Sequence, residues 1–327
     1  MHIYINHDLK RALVTFPKVA GTSIENILLW RMSRVQQAHP NINGWKLLQS
    51  DNQLHYFNLG EVKAIIPSEY QTTVMYRDPL ERYISGFNFL FLDHTQMDML
   101  NISDDGVDPT DDALIAKWAR YDDDWYYNWA ENIFLHSNYN PGLNDSHTMN
   151  IMMIVWILWW ELDAQLLYIN DLNNWIKTIH NIPNDFVLEK SNVSEYGYSK
   201  ESRKNVVKLV SGKFRDALKK LGIVEDYLRV DKYLFERLHN RQTKVERDHQ
   251  EISLWLVNQL FGDSYPVNRD ILSGYMSMHS AYLSVLTTWA NEGSTMSNTT
   301  REQINTHIIK LTQRYKQLTL STGDTDV

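Results

Sequence analysis

The chain has 327 residues, 43% of them hydrophobic and 12% aromatic, so it is long and apolar enough to fold around a sizeable core rather than remain disordered. It contains no cysteine, which excludes disulfides and thiolate metal sites. Its formal net charge of −8 argues against nucleic acid or another extended polyanion as the main partner.

The N-terminal residues show no basic region followed by an apolar core of the length found in signal peptides, so we expect no signal peptide. The longest apolar run is IMMIVWILWW at 151–160, about half of the roughly 20 residues that span a bilayer. We therefore expect a buried helix at this run, no transmembrane segment and a cytoplasmic protein.

A strand, a tight loop and a helix are predicted near the start of the chain. Residues 3–16 should supply one or two strands, and a helix is expected over 23–34. Between them lies the turn Pro17 to Ser23, where the N–H groups at a helix start would favour an anion. Lys18 adds a cation, Thr22 and Ser23 add hydroxyl donors, and Ser23 also suits an N-cap. The alternative is an ordinary strand–turn–helix with a surface lysine.

A second strand–loop–helix follows after a polar connection at 38–53 and a short strand at 54–59 that carries His55. The apolar residues 72–76 indicate a buried strand that leads directly into Arg77. Pro79 suits the first turn of a helix, and Ser85 lies two turns into it. A cation at the end of a second strand suggests a second anionic contact, because such contacts gather at the carboxyl ends of strands in α/β sheets.

The segment from Asp93 to Asp124 contains ten aspartates and two cations, Lys117 and Arg120. We interpret it as solvated surface, since its spacing does not fit a Ca²⁺ loop. Residues 111–136 read as a helix whose aromatic side chains are more typical of a core than of a sugar-binding wall.

The rest of the domain alternates short strands and helices. A strand is predicted at 164–169, a helix at 172–180, an extended piece at 186–189 and a further helix at 225–240. Residues 200–221 form a basic amphipathic helix, interpreted as a solvated face of which a part lines the entry of an anionic cofactor. Residues 1–240 would thus form one α/β domain, and 241–327 a helical C-terminal extension for packing or self-association into a homo-oligomer.

Two motifs taken together resemble a known family. PKVAGTS at 17–23 is similar to the 5′-phosphosulfate loop of sulfotransferases that use 3′-phosphoadenosine 5′-phosphosulfate (PAPS), and YRDPLERYISGF at 76–87 resembles their 3′-phosphate motif. The likeness is greatest to the carbohydrate (Golgi-type) branch, with motif spacing nearest to the uronosyl 2-O-sulfotransferases. It covers roughly residues 10–240 and implies a P-loop-like parallel sheet flanked by helices.

The resemblance also implies which residues would bind PAPS, the co-substrate, with no metal. Lys18 would contact the 5′-phosphosulfate and help the sulfuryl group leave, while Arg77 and Ser85 would bind the 3′-phosphate. A Lys-Ser-Asn-x-Ser-like stretch that closes over the nucleotide in this family corresponds to Lys190, Asn192 and Ser194. The loop residues that would cradle the 5′-phosphosulfate are Lys18, Val19, Ala20, Gly21, Thr22 and Ser23.

The chemistry of sulfuryl transfer needs a base for the acceptor hydroxyl, and histidine is well matched to that task near neutral pH. In the uronosyl 2-O-sulfotransferases a histidine precedes the Arg-Asp-Pro motif by a fixed distance, and His55 lies 22 residues before Arg77 in keeping with it. Glu61 and His94 are the alternatives for this role.

The chain also departs from the family. Golgi members carry a membrane anchor and disulfides, so the lack of both features suggests a cytoplasmic protein of bacterial or viral type. The acidic segment argues against a polyanionic acceptor and favours a neutral or cationic hydroxyl compound such as a carbohydrate, glycolipid or small metabolite.

Two other functions compete with the sulfotransferase. A nucleotide-binding or assembly protein could keep the loop without catalysis, although a histidine at position 55 argues against it. A P-loop-type kinase is less favoured, because Lys18 precedes Gly21 rather than following the glycines of a Gly-x-x-x-x-Gly-Lys-Ser/Thr motif.

Overall fold

Five strands form one mixed sheet in the order β3-β1-β2-β4-β5. The computed structural model describes residues 1–29, 42–50, 59–86, 121–128, 151–183, 200–221 and 228–240, with scattered residues between 287 and 313. The strands are β1 (His2–Asn6), β2 (Arg11–Thr15), β3 (Trp45–Ser50), β4 (Gln71–Tyr76) and β5 (Gln165–Tyr168).

Helices flank this sheet, so the chain has an α/β fold as predicted. The described helices are α1 (Gly21–Leu28), α2 (Leu59–Ile65), α3 (79–86), α4 (123–128), α5 (Met152–Glu161), α6 (Leu172–His180), α7 (Lys200–Lys220) and α8 (Arg229–Asn240). A single 3₁₀ turn, Ile169–Asp171, joins β5 to α6. Within these ranges no helix is both long and apolar enough to cross a bilayer.

The expectation of a parallel sheet is correct for only one half of the sheet. Strand β2 runs parallel to β4, and β4 runs parallel to β5, with Val74 opposite both Val14 and Leu166. Strand β1, however, is antiparallel to β2 and to β3. The short connection at 7–10 explains the antiparallel pairing of β1 with β2, because a turn of a few residues can join only antiparallel strands. The parallel half brings the carboxyl ends of β2, β4 and β5 to one edge.

The polar connection expected at 38–53 contains strand β3, and that prediction was wrong. Trp45 is buried beside β1, and its indole N–H donates to Nε2 of His180 at 3.0 Å. The strand lies at the edge of the sheet, where Leu48 stays 46% exposed, so its sequence lacks the apolar run that marks a central strand. Of the strand expected at 54–59, Leu59 begins α2, and 54–58 lie outside the described residues.

The apolar run at 151–160 forms the buried helix α5, as predicted. Its first N–H groups are capped from a distant helix: Oδ2 of Asp231 in α8 accepts from Ile151 at 3.0 Å and from Met152 at 3.4 Å. At its other end, the fully buried carboxylate of Glu161 pairs with Lys63 of α2 at 2.9 Å. The Asp231 carboxylate thus satisfies backbone N–H groups at the start of α5, while Lys63 neutralises the buried side chain of its last residue.

The last part of the acidic segment packs against the basic helix α7. Lys213 pairs with Asp123, and Lys220 lies 3.5 Å from Asp124. Between these pairs, Tyr126 is fully buried and meets the ring of Phe214 edge-on at 5.1 Å. This confirms the prediction that an aromatic side chain of this segment belongs to the core. Residues 93–120 lie outside the described residues.

The other predicted elements agree closely with the structure: β5, α6, α7 and α8 lie within one to four residues of the expected bounds. The piece at 186–189 lies outside the described residues. The division at 240 and the helical extension over 241–327 stay predictions.

Candidate anion-binding site

The loop between β2 and α1 is built around two left-handed residues. Lys18 has φ 61° and Ala20 has φ 53°, a region in which residues with a side chain are uncommon and cost roughly 1–2 kcal/mol each. The loop closes with the N–H of Val19 donating to the carbonyl of Phe16 at 3.1 Å. Such strain is retained where surrounding contacts enforce it, and it concentrates at functional loops.

Helix α1 begins at Gly21, two residues earlier than predicted, because the chain turns into it at Ala20. Ala20 is therefore the N-cap, with no side-chain capping bond, and the prediction of Ser23 as N-cap was wrong. Ser23 instead lies in the first turn and is buried. The first N–H groups of α1 therefore have no capping side chain at their N-cap, which keeps them suited to an anion.

Two arginines from the segment after β4 hold this loop. A terminal N–H of Arg77 donates to the carbonyl of Lys18 at 3.2 Å. One helical turn further on, Nε of the buried Arg82 donates to the carbonyl of Pro17 at 3.0 Å. The two motifs quoted from the sequence are therefore joined by direct hydrogen bonds.

Helix α3 is fixed at its start by Asp78, which lies next to Arg77. The Asp78 carboxylate accepts the N–H of Glu81 at 2.9 Å, with Pro79 at the first helical position between them. Glu81 in turn pairs with Arg215 of α7 at 2.7 Å. The sequence signal Asp-Pro-x-Glu is typical of a capped helix start, and our sequence analysis used only its proline.

The electrostatic surroundings of Arg77 include tyrosine as well as carboxylates. Burial lowers the pKa of the Arg77 guanidinium, while Glu81, Tyr168 and Asp78 act in the opposite direction. Burial raises the pKa of Tyr168, and Asp78 adds to that shift while Arg77 opposes it. Arginine stays protonated in proteins, so the edge of the sheet carries a fixed positive charge beside a neutral phenol.

An aromatic cluster that sequence analysis missed continues from this point across the ends of β4 and β5. The Tyr76 hydroxyl lies 3.1 Å from Nδ1 of His239, and burial raises the pKa of Tyr76 to about 12. Tyr168 and Phe235 complete the cluster, with ring centroids 5.1 and 5.2 Å from that of His239. Aromatic residues at the ends of two adjacent predicted strands were the available signal.

The structure describes some of the other residues predicted for the site and not the rest. Ser85 is half-buried on α3, one turn beyond Arg82. Glu61 is exposed in the first turn of α2. Apart from its chain neighbours and the backbone of its own helix, a Cβ atom added to Gly21 would meet no atom of the described residues within 4 Å, so this part of the chain leaves the start of α1 open. The predicted residues that lie outside the described ones are His55, His94, Lys190, Asn192 and Ser194.

The described residues can hold an anion more readily than a metal. In the described ranges, no group of three or more His, Asp or Glu side chains is placed to hold a metal ion. The loop provides the Lys18 cation, the N–H groups of a helix start and an adjacent guanidinium from Arg77, which is the donor set that phosphate and sulfate esters require.

No protein-family model, no curated protein and no solved structure matches this chain. Its function must therefore be inferred from its own residues.

Proposed function

We propose that the chain is a sulfotransferase that moves a sulfuryl group from PAPS to the hydroxyl of a carbohydrate, glycolipid or small-metabolite acceptor. The observation that carries this proposal is the hydrogen bond from Arg77 to the Lys18 carbonyl. This bond joins the two motifs that resemble the PAPS sulfotransferases. One motif resembles their 5′-phosphosulfate loop and the other their 3′-phosphate motif, so together they would bind the two phosphates of one nucleotide.

The donor set at the sheet edge fits such a nucleotide. Lys18 and the N–H groups at the start of α1 would hold the 5′-phosphosulfate, and the described residues leave room for it in front of Gly21. Arg77 and Ser85 would hold the 3′-phosphate, since a planar guanidinium binds phosphate through two parallel hydrogen bonds. Lys190, Asn192 and Ser194 would close over the nucleotide.

In the proposed reaction, an S–O bond forms to the acceptor oxygen as the S–O bond to the 5′-phosphate breaks. The Lys18 ammonium would stabilise the charge that develops on the leaving phosphate, and His55 would take the proton of the acceptor hydroxyl. Glu61 and His94 remain the alternatives for this base. Positioning and charge stabilisation would supply most of the rate, as in phosphoryl transfer.

The acceptor class follows from charge. The net charge of −8 and the aspartate-rich segment 93–124 disfavour a polyanionic acceptor, which would be repelled. A neutral or cationic hydroxyl compound fits this charge better.

The proposal is tested by a transfer assay with PAPS labelled in its sulfuryl group and a panel of hydroxyl acceptors, alongside calorimetric titration with 3′,5′-ADP. Binding of 3′,5′-ADP together with transfer of label supports the proposal. Binding without transfer to any acceptor would favour the non-catalytic nucleotide-binding protein, and the absence of binding would contradict both.

A further inference from the structure

Arg82 is a buried cation that is directed at the loop rather than at solvent. It lies on α3 with 3% of its surface exposed, and its Nε–H donates to the Pro17 carbonyl at 3.0 Å. Burying a guanidinium is costly unless it is hydrogen-bonded, so the bond to the Pro17 carbonyl helps to keep Arg82 buried beneath the loop.

This bond fixes the direction of a peptide group. In a planar trans peptide the C=O of one residue and the N–H of the next point in opposite directions. Because the Pro17 carbonyl is turned toward Arg82, the N–H of Lys18 points away from α3. Arg77 holds the following carbonyl, that of Lys18, in the same manner.

The two bonds bracket one of the two left-handed positions of the loop. Lys18 has φ 61°, a conformation that its side chain disfavours. Hydrogen bonds to charged groups are among the stronger ones in proteins, so the two bonds can offset that strain. The left-handed geometry in turn sets the direction in which the Lys18 side chain leaves the loop.

We propose that Arg82 is a positioning residue, which holds the loop 16–20 in its anion-binding conformation without contacting the anion. This inference rests on the proposed function for the identity of the ligand, but the effect on the loop itself is independent of any ligand.

The substitution Arg82→Met removes the donor, and Arg215→Met is the matched control. Arg215 pairs with the same helix α3 through Glu81 but is half-exposed. In the ligand-free protein, we expect Arg82→Met to speed amide hydrogen exchange of the loop 16–20 at least tenfold and Arg215→Met to leave it unchanged. Unchanged exchange in Arg82→Met would overturn the proposal, whatever the protein binds.

The second readout is affinity for 3′,5′-ADP, measured on folded protein whose thermal transition has been recorded. We expect Arg82→Met to weaken binding at least tenfold, with partial restoration by added guanidinium ion, and Arg215→Met to bind as wild type. If Arg82 only stabilised the fold, Arg82→Met would lower the melting temperature and added guanidinium would not restore the affinity. This outcome would also overturn the proposal.

Where Arg82→Met does not fold, the bond itself is measured in the wild-type protein by NMR, as a scalar coupling across the hydrogen bond from the Arg82 Nε–H to the Pro17 carbonyl carbon. A detected coupling supports the proposal, and its absence contradicts it. If the wild-type protein binds no 3′,5′-ADP but the loop exchange responds as expected, the proposed function fails while the role of Arg82 in setting the loop stands.

Discussion

The guanidinium of Arg77 donates a hydrogen bond to the backbone carbonyl of Lys18, 59 residues earlier in the chain. The contact forms because β2 and β4 are parallel neighbours, so the residues that follow each strand meet at the same edge of the sheet. Through it, one cation both supports the loop and stands beside the start of α1.

Gly21→Ala should separate ligand binding from folding. Beyond its chain neighbours and its own helix backbone, an added methyl group would meet none of the described residues within 4 Å, so we expect no loss of stability. Close approach of a phosphosulfate would be obstructed, and we expect affinity for 3′,5′-ADP to fall several-fold. Calorimetric titration and a melting curve measure the two effects.

The matched control for this variant is Gly212→Ala on the exposed face of α7, where an added methyl likewise meets none of the described residues outside its own helix. It should stabilise the protein by about 0.5–1 kcal/mol through helix propensity and leave the affinity unchanged. Equal affinities for the two variants would show that Gly21 does not face the ligand.

The ion pair between Lys63 and Glu161 should matter for folding far more than the exposed pairs. The Glu161 side chain is fully buried, so Lys63→Met would remove the opposite charge that pairs with it and cost about 3–5 kcal/mol in the free energy of unfolding. Lys213→Met breaks the pair with Asp123, whose side chain is 79% exposed, and should cost under about 1 kcal/mol.

Urea unfolding of both variants measures this difference. In the double variant Lys63→Met, Glu161→Met, most of the stability should return, since neither charge remains in the interior. Similar costs for Lys63→Met and Lys213→Met would refute the assignment of a buried pair.

Alkaline pH should destabilise the protein in part through Tyr126. Burial raises the pKa of Tyr126 to about 12, against about 10 in the unfolded chain. Between these values the unfolded chain binds fewer protons than the folded one, so stability falls as pH rises from about 10 to about 12, and it is unaffected by this group below about 10.

Tyr126→Phe should therefore reduce the fall in unfolding free energy over that window, by up to about 2 kcal/mol. Urea unfolding at a series of alkaline pH values checks this. An identical alkaline slope in the variant and the wild type would contradict a raised Tyr126 pKa.

His55→Ala should abolish sulfuryl transfer and leave 3′,5′-ADP binding intact, because a base for the acceptor hydroxyl acts on the other substrate. Single-turnover transfer and titration measure the two properties separately. Glu61→Gln and His94→Ala are the comparison variants; full turnover in His55→Ala together with loss in one of these would reassign the base.

Much of the parallel half of the fold could be predicted from the sequence, because the buried strand at 72–76 consists of β-branched and apolar residues and the helix at 151–160 of an uninterrupted apolar run. Strand β3 could not be predicted in this way. It is an edge strand anchored by Trp45 to the distant His180, and a contact over 135 residues leaves no local pattern.

In the candidate site, too, some features follow from local sequence patterns and others depend on contacts between distant residues. Lys18 and Arg77 were predicted because each follows a recognisable strand, but the left-handed turn at Ala20 and the bond from Arg82 to Pro17 depend on how two loops meet. The aromatic cluster around His239 was missed for a related reason: it joins the ends of β4 and β5 to a helix about 160 residues beyond Tyr76.

The central claim is that Lys18 and Arg77 bind the two phosphate-bearing ends of one nucleotide. The most direct measurement is the affinity for 3′,5′-ADP of wild type, Lys18→Ala, Arg77→Ala and the double variant. Because charge-assisted phosphate contacts contribute about 1.5–3 kcal/mol each, each single variant should bind at least tenfold more weakly and the double variant more weakly than either. Wild-type affinity in both single variants would contradict the claim.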